Sequence, residues 1–234
     1  MKAKVLVGCP TSDYHEYCLK EYVKAVKNLT YPNYDILLVD NSKTNKYYEK
    51  LKNLGLNVIK DKYQEKARDR IIDSRNILRD YVLKNNYDYF LSLEQDVIPP
   101  KDVIEKLLSH KKDVVSGIYF ARNKLSTGEH KYIPLVWMFG TKKDKLLVKR
   151  TLLYKEIWEP QLLKVIICGM GCVLISRKVL QKIKFRYVKD KPACDDDWFG
   201  YDCYEKGIEI YADNTVKCKH LVLNRPWRWE DLKK

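Results

Sequence analysis

The sequence predicts an α/β fold, one domain built on a doubly wound, mostly parallel mixed sheet flanked by helices. Three observations carry that prediction. Through residues 5–120, short apolar runs alternate with segments of helical periodicity, the pattern of right-handed strand–helix–strand crossovers. The apolar runs are nearly continuous rather than alternating, so they read as strands covered on both faces. Several end in a polar or acidic cluster, where open α/β sheets bind their ligands.

Val5-Leu6-Val7 opens the sheet, and Gly8-Cys9-Pro10-Thr11 turns the chain. Cys18, Tyr22, Ala25, Val26 and Leu29 recur at helical spacing, predicting an amphipathic helix over about 14–29. Asp35-Ile36-Leu37-Leu38-Val39 forms the second strand and ends in Asp40-Asn41-Ser42. Tyr48, Leu51 and Leu54 make a short helix stopped at Gly55, and residues 56–59 a third strand. The next helix, over about 65–83, puts Ile71, Leu78 and Val82 on its apolar side and carries Ser74-Arg75-Asn76. Tyr89-Phe90-Leu91-Ser92-Leu93 is a buried strand that stops at Glu94-Gln95-Asp96. Pro99-Pro100 then breaks the chain before a helix over about 101–109, and residues 114–120 add a strand.

Beyond Ala121 the character changes. Residues 122–131 are polar and suit a mobile loop. Shorter strands are expected at 134–139 and 146–148, around a Lys-rich turn. The apolar run 165–175 is broken by Gly169-Met170-Gly171. Asp195-Asp196-Asp197 opens an aromatic segment that Gly207 closes as a helix C-terminal glycine would. Residues 208–211 and 215–218 read as final strands, followed by His220.

Composition narrows the class. An apolar content of 45% is that of a folded protein. The longest uncharged apolar stretch, 165–175, is too short to span a bilayer, so any membrane contact is peripheral. Seven cysteines without a Cys-x-x-Cys spacing exclude the common zinc and redox motifs and point to a reducing cytoplasm. The amino terminus runs into a strand without a signal-peptide core. The formal charge of +14 favours anionic partners, although the lysines are scattered rather than gathered in a stripe.

The candidate chemistry centres on Glu94 and Asp96. Two carboxylates one residue apart at the carboxyl end of a buried strand suit a hard cation, Mg2+ or Mn2+, and such a cation suits a diphosphate. An acidic turn without a ligand is the plain alternative for this segment alone. The order of the other signals adds to it. Pro10-Thr11, Asp40, Ser74-Arg75-Asn76, Glu94-Gln95-Asp96, Gly169-Met170-Gly171, Asp195-Asp196 before Phe199 and Gly207, and finally His220 follow one another along the chain. In that order and spacing the chain resembles the family 2 glycosyltransferases, which have the GT-A fold, over roughly residues 3–221.

The resemblance implies a single GT-A domain over residues 1–224, with a nucleotide-binding half (1–120) and an acceptor half (121–224), and a tail at 225–234. It implies transfer of a sugar from a nucleotide diphosphate donor, with inversion and a divalent metal. Asp40 is then expected at the base beside Pro10 and Thr11, with Arg75 near the nucleotide. Asp96 is expected on the metal with His220. Glu94 stands where the family more often has aspartate and is a second metal or ribose contact, next to Gln95. Gly169 and Gly171 are expected where the donor sugar or acceptor approaches the backbone. Asp196 is the expected general base with Asp195 beside it, and the extra carboxylate of Asp197 leaves a one-residue slip open. Trp198, next to the base, is the expected acceptor-stacking residue. The acceptor is a saccharide, a lipid-linked sugar or a protein. Peripheral contact with an anionic membrane face is a further expectation, carried by Trp227 and Trp229 with Arg225 and Arg228; a tail packed on the domain is the alternative.

Two other classes compete. A sugar nucleotidyltransferase shares the architecture, but Gly8-Cys9-Pro10-Thr11 is too short for its Gly-rich triphosphate loop. A basic nucleic-acid-binding protein would use the positive charge, but the carboxylates at 94, 96, 195 and 196 would repel phosphates without a metal, so no specific nucleic-acid partner is expected.

Overall fold

The computed structural model describes residues 2–124, 130–139, 149–191, 193–221 and 229. In chain order the elements begin with β1 (Val5–Thr11), a 3-10 turn (Asp13–Cys18), α1 (Leu19–Lys27), β2 (Tyr34–Asp40), α2 (Lys46–Asn53), β3 (Val58–Lys60) and α3 (Ala67–Lys84). There follow β4 (Tyr89–Leu93), β5 (Val97–Ile98), α4 (Val103–Ser109), β6 (Val114–Ile118), β7 (Phe120–Lys124), β8 (His130–Pro134), β9 (Val136–Phe139) and β10 (Lys149–Thr151). The last are α5 (Tyr154–Trp158), β11 (Leu162–Val165), β12 (Ile167–Cys168), β13 (Cys172–Ser176), α6 (Arg177–Lys182), α7 (Asp195–Glu205), β14 (Ile210–Lys217) and β15 (Lys219–His220).

Eight strands form the main sheet in the order β11-β14-β6-β13-β4-β1-β2-β3. β4, β1, β2 and β3 run parallel, as do β6 and β14, while β13 is inserted antiparallel between β4 and β6 and β11 lies antiparallel on the edge. This is the mixed, mostly parallel sheet the sequence predicts. The apolar runs of β1, β4, β6 and β13 are buried on both faces. One core, with Leu78, Val82, Val179, Phe185 and Phe199, lies under α3, α6 and α7. The other, with Tyr22, Val26, Leu51 and Ile104, lies under α1, α2 and α4. Helices cover both faces because both faces are apolar. Gly55 and Gly207 end α2 and α7 at φ +72° and +65°, the left-handed conformation that a helix C-terminus favours and glycine adopts without penalty.

Several expectations are corrected in the second half. Residues 122–131 do not form only a loop: β7 and β8 pair antiparallel, from Phe120 opposite Pro134 to Lys124 opposite His130. The two final strands are one, β14, whose register shifts between Ala212 and Lys217. The 165–175 run is split between β12, which pairs with β9, and β13 in the main sheet. In α3 it is Ile72 that enters the core while Ile71 is 36% exposed, because Ser74, Arg75 and Leu78 share the inward face with Ile72. The strand expected at 146–148 and its Lys-rich turn lie outside the described residues, as do Arg225, Trp227 and Arg228. Trp229 packs edge-on against Phe120 with centroids 4.6 Å apart and donates its Nε1–H to the Cys218 carbonyl at 3.2 Å. At this residue the tail folds back on the domain.

Candidate active site

The carboxyl ends of β1, β2 and β4 deliver Thr11, Asp40 and the turn 94–96 to one edge of the sheet. α3 lies over the sheet and directs Arg75 at the end of β4. Arg75 is 1% exposed. Its Nε donates to Asp195 Oδ2 at 2.7 Å, its Nη1 to Ser92 Oγ at 2.8 Å, and its Nη2 to Glu94 Oε1. One planar fork therefore joins α3, β4 and the first turn of α7, a geometry that lysine lacks. Burial alone would lower the Arg75 pKa, but the charges of Asp195 and Glu94 outweigh it and raise the value above normal. Glu94 is shifted upward, chiefly by burial, with Arg75 opposing and Asp96 adding to the rise.

Asp96 and His220 form a second pair. Val97 lies opposite His220 in the β5–β15 ladder, so Asp96 Oδ2 and His220 Nε2 stand 3.4 Å apart. The other ring nitrogen, His220 Nδ1, is 2.6 Å from the Phe120 carbonyl, so Nδ1 carries a proton and Nε2 is the nitrogen turned to Asp96. A carbonyl behind a histidine is the usual support for a metal-bound imidazole. Burial raises the Asp96 pKa, but the His220 hydrogen bond and charge prevail and bring it below the ordinary range. For His220 burial acts downward and Asp96 more strongly upward, so its pKa is raised. Tyr17 adds a hydroxyl 3.4 Å from Asp96 Oδ2.

Asp195, Asp196 and Asp197 open α7 and diverge. Asp195 goes to Arg75. Asp197 accepts Lys149 at 2.5 Å and, with its other oxygen, the Cys194 N–H at 3.2 Å, which caps the helix. Asp196 accepts the Asp197 N–H at 2.8 Å and lies near enough to Glu94 to feel its charge. Its pKa is pushed up to about 6, first by burial and then by Asp195 and Asp197. Among the described residues the one cluster of three possible metal-ligating groups within 4.8 Å of one another is Cys194, Asp196 and Asp197. Glu94, Asp96 and His220 do not form such a triad, and Glu94 is committed to Arg75.

Protein groups fill the space around several of the expected site residues. Thr11 and Gln95, expected at the nucleotide, are 2% and 1% exposed and hydrogen-bond each other. Gln95 is also held by Tyr47 and donates to the His15 carbonyl at 2.7 Å; its amide locks the acidic turn to the end of β1. At Gly169 and Gly171 it is Tyr119 that closely approaches the backbone. A Cβ on either would collide with the Tyr119 hydroxyl, which accepts the Gly171 N–H at 2.8 Å. Asp40 is fully buried, accepting Ser42 N–H at 3.0 Å and Lys60 Nζ at 2.8 Å, so Lys60 and Ser42 surround it. Pro10, one position earlier in β1, pairs with Val39 in the strand beside it.

The family model described as glycosyl transferase family 2 matches residues 10–184. The chain belongs to glycosyl transferase family 2. It is a glycosyltransferase, which separates it from the nucleotidyltransferase and nucleic-acid-binding readings. No curated protein matches it with significant sequence similarity. Among solved structures, GalNAc-T7, crystallised with UDP, GalNAc and Mn2+, is similar at a TM-score of 0.64 and 13% identity, over 93% of this chain and 44% of that one. The chain thus spans less than half of that protein, and the likeness shows the GT-A fold. A197 from STIV is matched at a TM-score of 0.49 and 18% identity, over 93% of this chain and 85% of that one. The family match ends before α7 and β15, so Asp195, Asp196 and His220 of this glycosyltransferase rest on their geometry.

Sequence reading did not single out Tyr17, Ser92, Lys60 or Tyr119. Ser92 alone carried a signal, a polar residue in a strand buried on both faces; its hydroxyl accepts from Arg75 and donates to the Met170 carbonyl at 2.7 Å.

Proposed function

We propose that this glycosyltransferase moves a hexosyl unit from a UDP- or GDP-linked donor to an acceptor hydroxyl, with inversion, a bound divalent metal and Asp196 as general base. The observation that supports it most is the Asp96–His220 pair. Two ligands held about 2.1 Å from Mg2+ or Mn2+ at a right angle lie about 3 Å apart, close to the 3.4 Å between Asp96 Oδ2 and His220 Nε2. The mixed oxygen and nitrogen donor set, with its carbonyl-supported imidazole, suits Mn2+. Such an ion, when bound, offsets the charge that develops on the leaving diphosphate.

The chain's own residues account for the rest. The acceptor oxygen bonds to the anomeric carbon as the bond from that carbon to the diphosphate oxygen breaks. The electron pair leaves with the nucleoside diphosphate, and the hydroxyl proton passes to the Asp196 carboxylate. A carboxylate with a pKa near 6 is ionised at neutral pH yet basic enough to accept that proton. Arg75 holds Asp195 and Glu94 beside it. Glu94 then serves through Arg75 or at the ribose, with the metal on Asp96 and His220. Asp40, Lys60 and the chain at Pro10 frame the base. The absence of disulfides among seven unpaired cysteines supports a cytoplasmic setting. Among the described residues no helix is long and apolar enough to cross a membrane, and contact with the inner membrane face is tied to the residues after 221.

A panel of nucleotide sugars tested with and without Mn2+ checks this reading. The expected result is transfer or slow donor hydrolysis with at least one UDP- or GDP-sugar, lost on metal removal, with product anomers of opposite configuration by NMR. Retained configuration, or no turnover and no nucleotide binding across the panel, contradicts it.

A further inference from the structure

The carboxyl edge of the sheet has a direction. Its strands run β4, β1, β2, β3, and the strand order reverses between β4 and β1, the crevice where an open α/β sheet takes its ligand. Asp96 follows β4, and Arg75 ties Asp195 to Glu94 on that same side. A donor with its diphosphate at Asp96 and its sugar towards Asp196 therefore extends its nucleoside the other way, over β1 to β2 and β3. From β4 to β3 is three inter-strand steps, about 14 Å. At the far end Asp40 of β2 stands opposite Lys60 of β3. Asp40 is closed to a ligand. It is fully buried; Oδ1 accepts the Ser42 N–H at 3.0 Å and the Ser42 hydroxyl, and Oδ2 accepts Lys60 Nζ at 2.8 Å. Its neighbours are engaged as well. The Ser42 hydroxyl accepts the Asp13 N–H at 2.8 Å, Asn41 donates to Ser74, and Ser74 donates to Asp61. Lys60 differs, because 25% of its side chain stays exposed. Of its three N–H groups, one goes to Asp40 and one to the Ser42 carbonyl. The third has no acceptor among the described residues.

We infer that Lys60, and not Asp40, reads the nucleobase of the donor, and that it selects a base with a keto oxygen at that edge: uracil or guanine over cytosine or adenine. The inference rests on the proposed donor reaction and deepens it by naming the residue that sets base specificity. Access is the first argument, since Lys60 is the exposed member of a pair whose carboxylate is sealed. Charge is the second. Asp40 balances the ammonium, so the pair has no net charge with which to hold a phosphate; what it offers outward is one directed N–H. Two acceptors fix the ammonium, so that N–H is oriented before a base arrives, which lowers the cost of binding. Base chemistry is the third. Uracil O4 and guanine O6 accept such a hydrogen bond. Cytosine and adenine carry an amino group at the equivalent position, which sets donor against donor and leaves both unpaired. A site built to hydrogen-bond one group rejects the analogue that lacks it more strongly than shape alone allows.

The test is calorimetry of the full chain with UDP, CDP, GDP and ADP, each with Mn2+. The pairs UDP–CDP and GDP–ADP match in ring size, so their ratios report the keto or amino group. The expected result is UDP bound about tenfold or more tightly than CDP, or GDP than ADP. Lys60→Met should bring that ratio towards one, whereas a purely structural loss would weaken both members of a pair alike. Because Lys60→Met leaves Asp40 buried without its cation, the double variant Asp40→Asn with Lys60→Met, which removes both charges, should lose the ratio too; thermal unfolding checks that each variant is folded. Asp40→Asn alone keeps a carbonyl oxygen for Lys60 and should keep the ratio. No preference in the unaltered chain, or a ratio retained in either Lys60 variant, overturns the assignment. A ratio lost in Asp40→Asn also overturns it, by placing the reading on the carboxylate. No nucleotide bound at all contradicts the proposed donor reaction together with it, whereas nucleotides bound without discrimination contradict the role of Lys60 alone.

Discussion

The two sides of α7's first turn treat polar groups in opposite ways. On the cleft side Arg75 joins Asp195, Ser92 and Glu94, and Gln95 locks the acidic turn to β1, whereas Asp196 is held by the Asp197 N–H. On the outer side Tyr201 and Tyr204 are exposed, and the ions pair two by two, Lys149 with Asp197 and Arg186 with Asp202. A preorganised electrostatic environment is what the departure of a charged leaving group requires. The helix presents different residues to its two sides because consecutive helical residues point about a quarter-turn or more apart.

The largest expected effect lies at the cleft. Asp196→Asn keeps the shape but cannot accept a proton, and kcat should fall about 100- to 10,000-fold with UDP affinity retained. Asp197→Asn, on the other side of the turn, should change kcat far less. Equal losses in the two variants would erase the distinction between the sides.

Next comes Arg75→Met, which leaves the carboxylates of Asp195 and Glu94 without their partner. Breaking a buried pair in this way typically costs about 3–5 kcal/mol, read as a lower denaturant midpoint. Rim pairs such as Lys149–Asp197 should contribute under about 1 kcal/mol. A stable Arg75→Met variant would show that the network is not the buttress described.

The pH dependence follows from Asp196. A base must be ionised, so kcat/KM should fall as pH drops through about 6, and the Asn variant's residual rate should lack that limb. The stability effect has the opposite sense. The folded state holds the Asp196 proton more tightly than the unfolded chain does. Ionising it therefore reduces stability as pH rises from the ordinary carboxylate range to about 6.

A smaller effect belongs to the glycine pair. Gly171→Ala would push against Tyr119 and Val97, and overpacking typically costs about 1–3 kcal/mol. Pairing it with Tyr119→Phe, which removes the colliding hydroxyl, should recover part of the loss measured by thermal unfolding.

The same contrast explains what was legible. The parallel half was readable because strands buried on both faces are written as unbroken apolar runs, as in β1 and β4. The hairpin of β7 and β8 was not, because residues 122–131 are mostly polar and lack a strand's apolar run. Asp96, Asp196 and His220 stood out by order along the chain. The Arg75 fork did not, since its partners Glu94 and Asp195 lie 19 and 120 positions away and only folding unites them. The contacts of Gln95 and the two glycines were hidden for a related reason: a buried amide and a packed tyrosine leave no mark in spacing.

The most direct test of the cleft is UDP calorimetry with and without Mn2+ in Asp96→Asn and Glu94→Gln. Metal should strengthen UDP binding in the unaltered chain. That gain should vanish in Asp96→Asn and survive in Glu94→Gln, whose carboxylate serves Arg75. Loss of the gain in Glu94→Gln with retention in Asp96→Asn would contradict the account.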